Sequence, residues 1–119
     1  MAKKKKTEEE ELQELITDCA ERYVRWTHLR TNGGAAPYWS DGVNLNLLRN
    51  HIKYAKNRIK EHCDKHGMVI PAIYYRPMPP EMPKDFYVVT GKHYKRRMEL
   101  KRQREETAKA EGAGQLSLF

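Results

Sequence analysis

Between residues 41 and 67 the chain places Leu45, Leu48, Ile52, Ala55, Ile59, His62 and His66 at alternating steps of three and four. That spacing fits one face of an α-helix and no face of a strand, so it limits the fold class more than any other feature. Cationic Arg49, Lys53, Lys56 and Lys60 fall on the opposite face. Ser40 and Asp41 are both suitable N-caps, and Gly67 is a natural stop. A second stripe precedes it: Leu12, Ile16, Cys19, Tyr23 and Trp26. Thr7-Glu-Glu-Glu10 has the form of a capping box, and Glu8 to Glu11 sit where a helix dipole favours negative charge. Thr31-Asn-Gly-Gly34 ends this first helix near Arg30. Two helices of similar length with a short connection predict an antiparallel hairpin.

Residues 68–84 hold five of the six prolines. Each proline removes a backbone donor and resists helix, which predicts an extended segment with Val69, Ile70, Ile73 and Tyr74 against the hairpin. From about Thr90 a third helix is expected, with only Met98 and Leu100 to offer a core. The expected class is all-α: an antiparallel two-helix hairpin, a Pro-rich extended segment packed on it, and a third, basic C-terminal helix. The expected divisions are a basic tail over 1–7, hairpin plus Pro-rich segment over 8–89, a basic helix over 90–111 and a flexible tail over 112–119.

With 119 residues the chain suffices for one domain. Charged residues make up 33% of it, and the mean hydropathy is −0.93. Lys and Arg number 23 against 16 acids, a net charge of +7 and an isoelectric point near 9.5. Residues 1–40 balance at seven against seven, 41–82 carry seven against four, and 83–119 carry nine against five. The excess therefore lies in the last two thirds, which points there for a polyanionic partner such as DNA or RNA. Cys19 and Cys63 are far apart, and "MAKKKKTEEEE" has no apolar stretch after its basic start. Reduced thiols, a cytoplasmic location and no membrane are the expectations.

Lys92, Tyr94, Lys95, Arg96, Arg97, Lys101, Arg102 and Arg104 form the strongest nucleic-acid signal, with Tyr94 as a stacking surface for an unpaired base. The competing reading is a solvated helix whose cations pair with Glu99, Glu105 and Glu106. His62-Cys63 with His66 invites a zinc reading, but Cys19, His28, His51 and His93 supply no second paired motif. Histidines suit the last turn of a helix and a cysteine packs like a small hydrophobe, so no metal or other cofactor is expected. No phosphate-binding glycine loop, nucleophile motif or acid pair is present, and a non-enzyme is expected. Tyr38, Trp39, Tyr74, Tyr75, Phe86 and Tyr87 are expected in packing rather than in a binding platform.

The chain ends on Gln115-Leu116-Ser117-Leu118-Phe119, after Gly112 and Gly114. Apolar residues in such a place suggest a core supplied by another protein. This pentapeptide resembles the clamp-binding peptide of bacterial replicative polymerases and repair proteins, which docks on the DNA sliding clamp, the β subunit of the replicase. The resemblance covers five residues and implies that Gln115 anchors through its amide, Leu116 sits at the edge, and Leu118 with Phe119 enter the clamp's pocket. It implies an adaptor that brings a DNA-contacting body to the clamp. By analogy alone, a small basic chain of this kind suits a phage or other mobile element. The alternatives are a phage-encoded inhibitor of host nucleic-acid machinery, anti-CRISPR-type or replication-blocking, and a simple DNA- or RNA-binding protein.

Overall fold

In the computed structural model, which describes residues 5–89 and 91–116, three helices account for the architecture and no strand occurs among the described residues. α1 spans Glu8–Asn32 and α2 spans Asp41–His66, 25 and 26 residues that pack on each other as an antiparallel hairpin. Each would be about 38 Å long at 1.5 Å per residue. α1 starts where the Thr7 hydroxyl accepts the Glu10 N–H at 3.1 Å, and it ends where the Gly33 N–H closes on the Leu29 carbonyl at 2.8 Å. Ser40 rather than Asp41 caps α2, accepting the Val43 N–H at 3.1 Å. Gly67 ends α2 in the left-handed conformation at φ 63°, and its N–H returns to the Cys63 carbonyl.

The two expected stripes meet face to face. Cys19 and Tyr23 of α1 are buried with Ile52, Ala55, Ile59 and Cys63 of α2. Leu12, Leu15, Ile16 and Trp26 add half-buried contacts from α1. Burial pushes the thiols of Cys19 and Cys63 above the ordinary cysteine range, and it is the largest cause for both. This apolar core is small, at about 1.5–3 kcal/mol for each fully buried aliphatic side chain.

The proline-rich segment adds a polar layer to it. After a 3-10 turn at Ala72–Tyr75 the chain runs back along α2 toward its N-terminus. Prolines leave carbonyls without the usual neighbouring donors, and helix side chains supply them. Lys56 donates to the Arg76 carbonyl, Arg49 to Pro79 at 2.8 Å, and Ser40 to Lys84. The Asn46 amide clasps Met82 from both sides, donating to its carbonyl at 2.9 Å and accepting its N–H at 2.8 Å. Tyr23 shares its hydroxyl proton between the carbonyls of Arg76 and Pro77, at 3.1 and 3.2 Å. The order 56–76, 49–79, 46–82 describes an antiparallel strap, with Met68, Ile70, Ile73 and Met78 against the core.

Two expectations change here. Lys56 and Arg49 do not face solvent with Lys53 and Lys60; Lys56 is 8% exposed, over the Tyr23 ring and against the strap, and Arg49 is half-buried and bonded to it. Val69 does not pack on the hairpin, being 89% exposed, and Met68 and Met78 fill that space instead.

α3 spans Lys92–Leu116. With it the protein extends 71 × 39 × 23 Å, and its radius of gyration is 21.4 Å. A compact chain of this length would have about 13–14 Å. None of the helices is long and apolar enough to cross a membrane among the described residues.

The strap's close approach to α2 gives a test. A Cβ added at Gly42 would lie 1.8 Å from the Pro83 carbonyl oxygen, whereas one at Gly67 meets nothing within 4 Å. Gly42→Ala is expected to cost about 2–3 kcal/mol through overpacking. Gly67→Ala is expected to cost about 1 kcal/mol, from its left-handed backbone alone. Urea unfolding of both variants measures the difference.

Candidate nucleic-acid interface

Asp41 is the first residue of α2 and is 0% exposed. Its carboxylate accepts the Gly34 N–H at 3.1 Å and the Val88 N–H at 2.7 Å. It also takes a charge-assisted bond from Arg97 of α3, which donates to the Gly34 carbonyl as well. One side chain therefore joins the interhelical loop, the end of the strap and the third helix. The Arg97 guanidinium lies over the Tyr87 ring, 4.9 Å from its centroid. About two helical turns further along, Arg104 stacks on Tyr38 at 3.6 Å. These contacts fix one side of α3 to the body and leave the other side free.

Arg97 is the correction to the expected nucleic-acid set. It is 2% exposed and held by Asp41, so its charge is spent inside the protein. Arg104 is exposed but engaged with Tyr38. Lys95, Arg96, Lys101 and Arg102 are exposed, and Tyr94 is half-buried. The Lys92 side chain lies outside the described residues. The expected ion pairs are loose and solvated: Arg96 to Glu99 at 4.0 Å and Arg102 to Glu106 at 3.9 Å. Exposed pairs of this kind contribute about 0–1 kcal/mol, so a phosphate can compete for the same cations.

Charge along α3 runs against its own dipole. Residues 92–104 carry seven Lys or Arg and one acid, and the first turn has no acid. α1, in contrast, opens on four glutamates. Cations at a helix N-terminus are locally unfavourable. Their presence on the outer face therefore has no folding rationale of the kind that explains α1.

Tyr38 and Trp39 do not pack as expected, since each is 60% exposed in the loop before α2. Tyr75 is 68% exposed, while Tyr74 and Phe86 are half-buried and Arg30 lies over the Phe86 ring at 4.8 Å. Loop 33–40 offers its backbone to Asp41 and Arg97, and its aromatic side chains are left outside. Tyr87, Tyr94, Met98 and Lys101 line a cleft of about 370 Å³ beside them. The surface at α3 thus combines exposed cations, exposed ring faces and an apolar recess. Those are the components that hold a phosphate backbone and its bases.

At the other end of the hairpin, Cys63 is in the core, 1% exposed, with its S–H toward the Val69 carbonyl at 3.7 Å. It does not join His62 and His66. Glu11 of α1 does, bringing potential ligand atoms of Glu11, His62 and His66 within 4.8 Å of one another. The sequence marked the two histidines but missed Glu11, which only the antiparallel pairing brings near.

Gln115 and Leu116 belong to the last turn of α3. Ser117, Leu118 and Phe119 lie outside the described residues. The helix thus runs past the expected end at residue 111. Gly112 and Gly114 cost a helix about 1 kcal/mol each relative to Ala, which weakens that turn without forbidding it. Comparison with protein-family models, with curated proteins and with solved structures returned no match.

The buried junction generates a prediction. Asp41→Ala strands Arg97 and two backbone donors, and it is expected to cost about 3–5 kcal/mol. Arg97→Met leaves a carboxylate that still accepts two N–H bonds, and a smaller loss is expected. Urea unfolding of the two variants gives the order.

Proposed function

We propose that the protein is a non-enzymatic adaptor that docks on the bacterial DNA sliding clamp through Gln115-Leu116-Ser117-Leu118-Phe119 and contacts DNA through α3. The observation that carries this reading is the form of α3, one helix whose outer face is cationic and which leads straight into the clamp-like pentapeptide. Residues 101–110 are all exposed, so apart from the Arg104–Tyr38 stack this stretch buries no face against the body. A helix with so little to gain from its own core is suited to meeting something else.

The energetics suit a reversible attachment. Two leucines and a phenylalanine contribute at most about 1.5–3 kcal/mol each on burial. Lost translational freedom and chain ordering take back much of that. A micromolar constant, about −8 kcal/mol, is expected for the peptide alone. Lys95 to Arg102 lie about 20–30 Å along the helix from Gln115. A clamp encircles duplex DNA, so docking the tail would raise the effective concentration of those cations at the duplex. Tyr38, Trp39 and Tyr94 would then offer ring faces to any unpaired bases.

Binding to purified clamp and to duplex DNA, measured separately, tests the two halves. Deleting residues 115–119 is expected to abolish clamp binding and leave DNA binding within about twofold of the intact chain. Lys101→Ala with Arg102→Ala is expected to lower the salt slope of DNA binding by about 2 and leave clamp binding intact. A clamp that ignores the intact chain at high micromolar concentration would overturn the adaptor reading. Primer extension by a clamp-loaded polymerase then separates recruitment from blockade.

A further inference from the structure

The free end of the hairpin places the first turn of α1 beside the last turn of α2. Four side chains with donor atoms meet there. Glu8 and Glu11 come from one helix, His62 and His66 from the other. The histidines are four apart on one helix face, with ring centroids 4.6 Å apart. Their side chains are mostly covered, at 10% and 20% exposure, while the Glu11 and Glu8 side chains are about half exposed and free to adjust.

Hydrogen bonding fixes what His62 offers. Its Nε2 lies 2.9 Å from the Glu8 backbone carbonyl, which can only accept, so Nε2 carries a proton and donates it. In the neutral ring the lone pair is then on Nδ1. That atom faces a Glu11 carboxylate oxygen at 3.8 Å, too far for a hydrogen bond. His66 Nδ1 lies 3.1 Å from a Glu8 carboxylate oxygen. The lone pairs of His62 Nδ1 and the Glu11 carboxylate therefore face each other across a gap, with the His62 ring pinned from behind by the Glu8 carbonyl. Metal-bound histidines are oriented in the same manner by their second ring nitrogen.

We propose that Glu11, His62 and His66 form a binding site for a zinc-type divalent transition metal, with Glu8 as a fourth ligand or as the outer partner of His66. Two histidines four apart on a helix face are a metal-binding pattern in their own right. Imidazole with carboxylate selects zinc or its first-row neighbours over magnesium and calcium, which take oxygen ligands. The three candidate ligand atoms lie within 4.8 Å of one another, and a tetrahedral zinc site needs about 3.4 Å between ligands. Rotation of the half-exposed Glu11 side chain, with small adjustments of the two imidazole rings, would close that difference. Cys63, the other soft ligand nearby, is held in the core and plays no part. Binding would clip α1 to α2 at the end of the hairpin opposite the interhelical loop, and it is independent of what α3 contacts.

The test titrates the intact, metal-free chain with zinc chloride by calorimetry, alongside thermal unfolding with and without zinc. One equivalent per chain is expected, with micromolar or tighter affinity, a raised melting temperature and no response to magnesium. His66→Gln and Glu11→Gln are each expected to weaken binding at least about tenfold, the loss that even an outer-shell partner can cause. Glu11→Gln changes a half-exposed side chain, so it preserves the fold if a histidine variant does not, as helical circular dichroism in chelator would report. No saturable uptake at about tenfold excess zinc, or unchanged uptake by the His62→Gln/His66→Gln double variant, overturns the proposal.

Discussion

The Asp41 carboxylate is where the fold becomes more than a hairpin. The hairpin's apolar core of two cysteines, one tyrosine, one alanine and two isoleucines includes no residue of α3, so it is not the means of holding that helix. Asp41 supplies a polar one. It gathers donors from Gly34, Val88 and Arg97, and Arg97 in turn reaches the Gly34 carbonyl. A buried ion pair contributes little by itself, because desolvation offsets most of the Coulomb attraction. Its effect is on geometry: each partner left alone would be costly to bury, so the loop, the strap and α3 come together in one arrangement.

The strap follows the same logic. Proline-rich backbone cannot satisfy its own carbonyls, so it can lie on a helix only where that helix provides donors at suitable intervals. Lys56, Arg49, Asn46 and Ser40 do this along α2. Lys56 and Arg76 also flank the Tyr23 ring, at 5.5 and 4.1 Å from its centroid, so the core's largest buried aromatic is covered by cations. Stability is thus distributed between a narrow apolar seam and a polar ladder, and α3 depends on the end of that ladder.

The helices, the Thr7 cap and the hairpin were legible in the sequence as local patterns, while the second cap was left open between Ser40 and Asp41. Roles set by distant partners were not. Lys56 has the same spacing as its solvent-facing neighbours, and only the strap distinguishes it. Arg97 stands in a run of cations, and nothing in the run tells a buried guanidinium from an exposed one. Tyr38 and Trp39 look like core residues by type, yet a loop that turns its backbone inward puts them outside. The meeting of Glu11 with His62 and His66 could have been inferred once an antiparallel hairpin was assumed, since that pairing brings the start of one helix to the end of the next. Of the pentapeptide only Gln115 and Leu116 fall among the described residues, so its reading rests on sequence resemblance.

The central claim is that the Asp41–Arg97 junction holds α3 in one orientation, presenting its cations and leading to the pentapeptide. Spin labels at Asn57 on α2 and Ala110 on α3, both exposed, report that orientation, and the two native thiols are buried and do not compete. A single narrow distance distribution is expected in the otherwise native chain, broadening when Arg97→Gln removes the charge pair. A distribution already broad with Arg97 present, or equally narrow without it, would contradict the account.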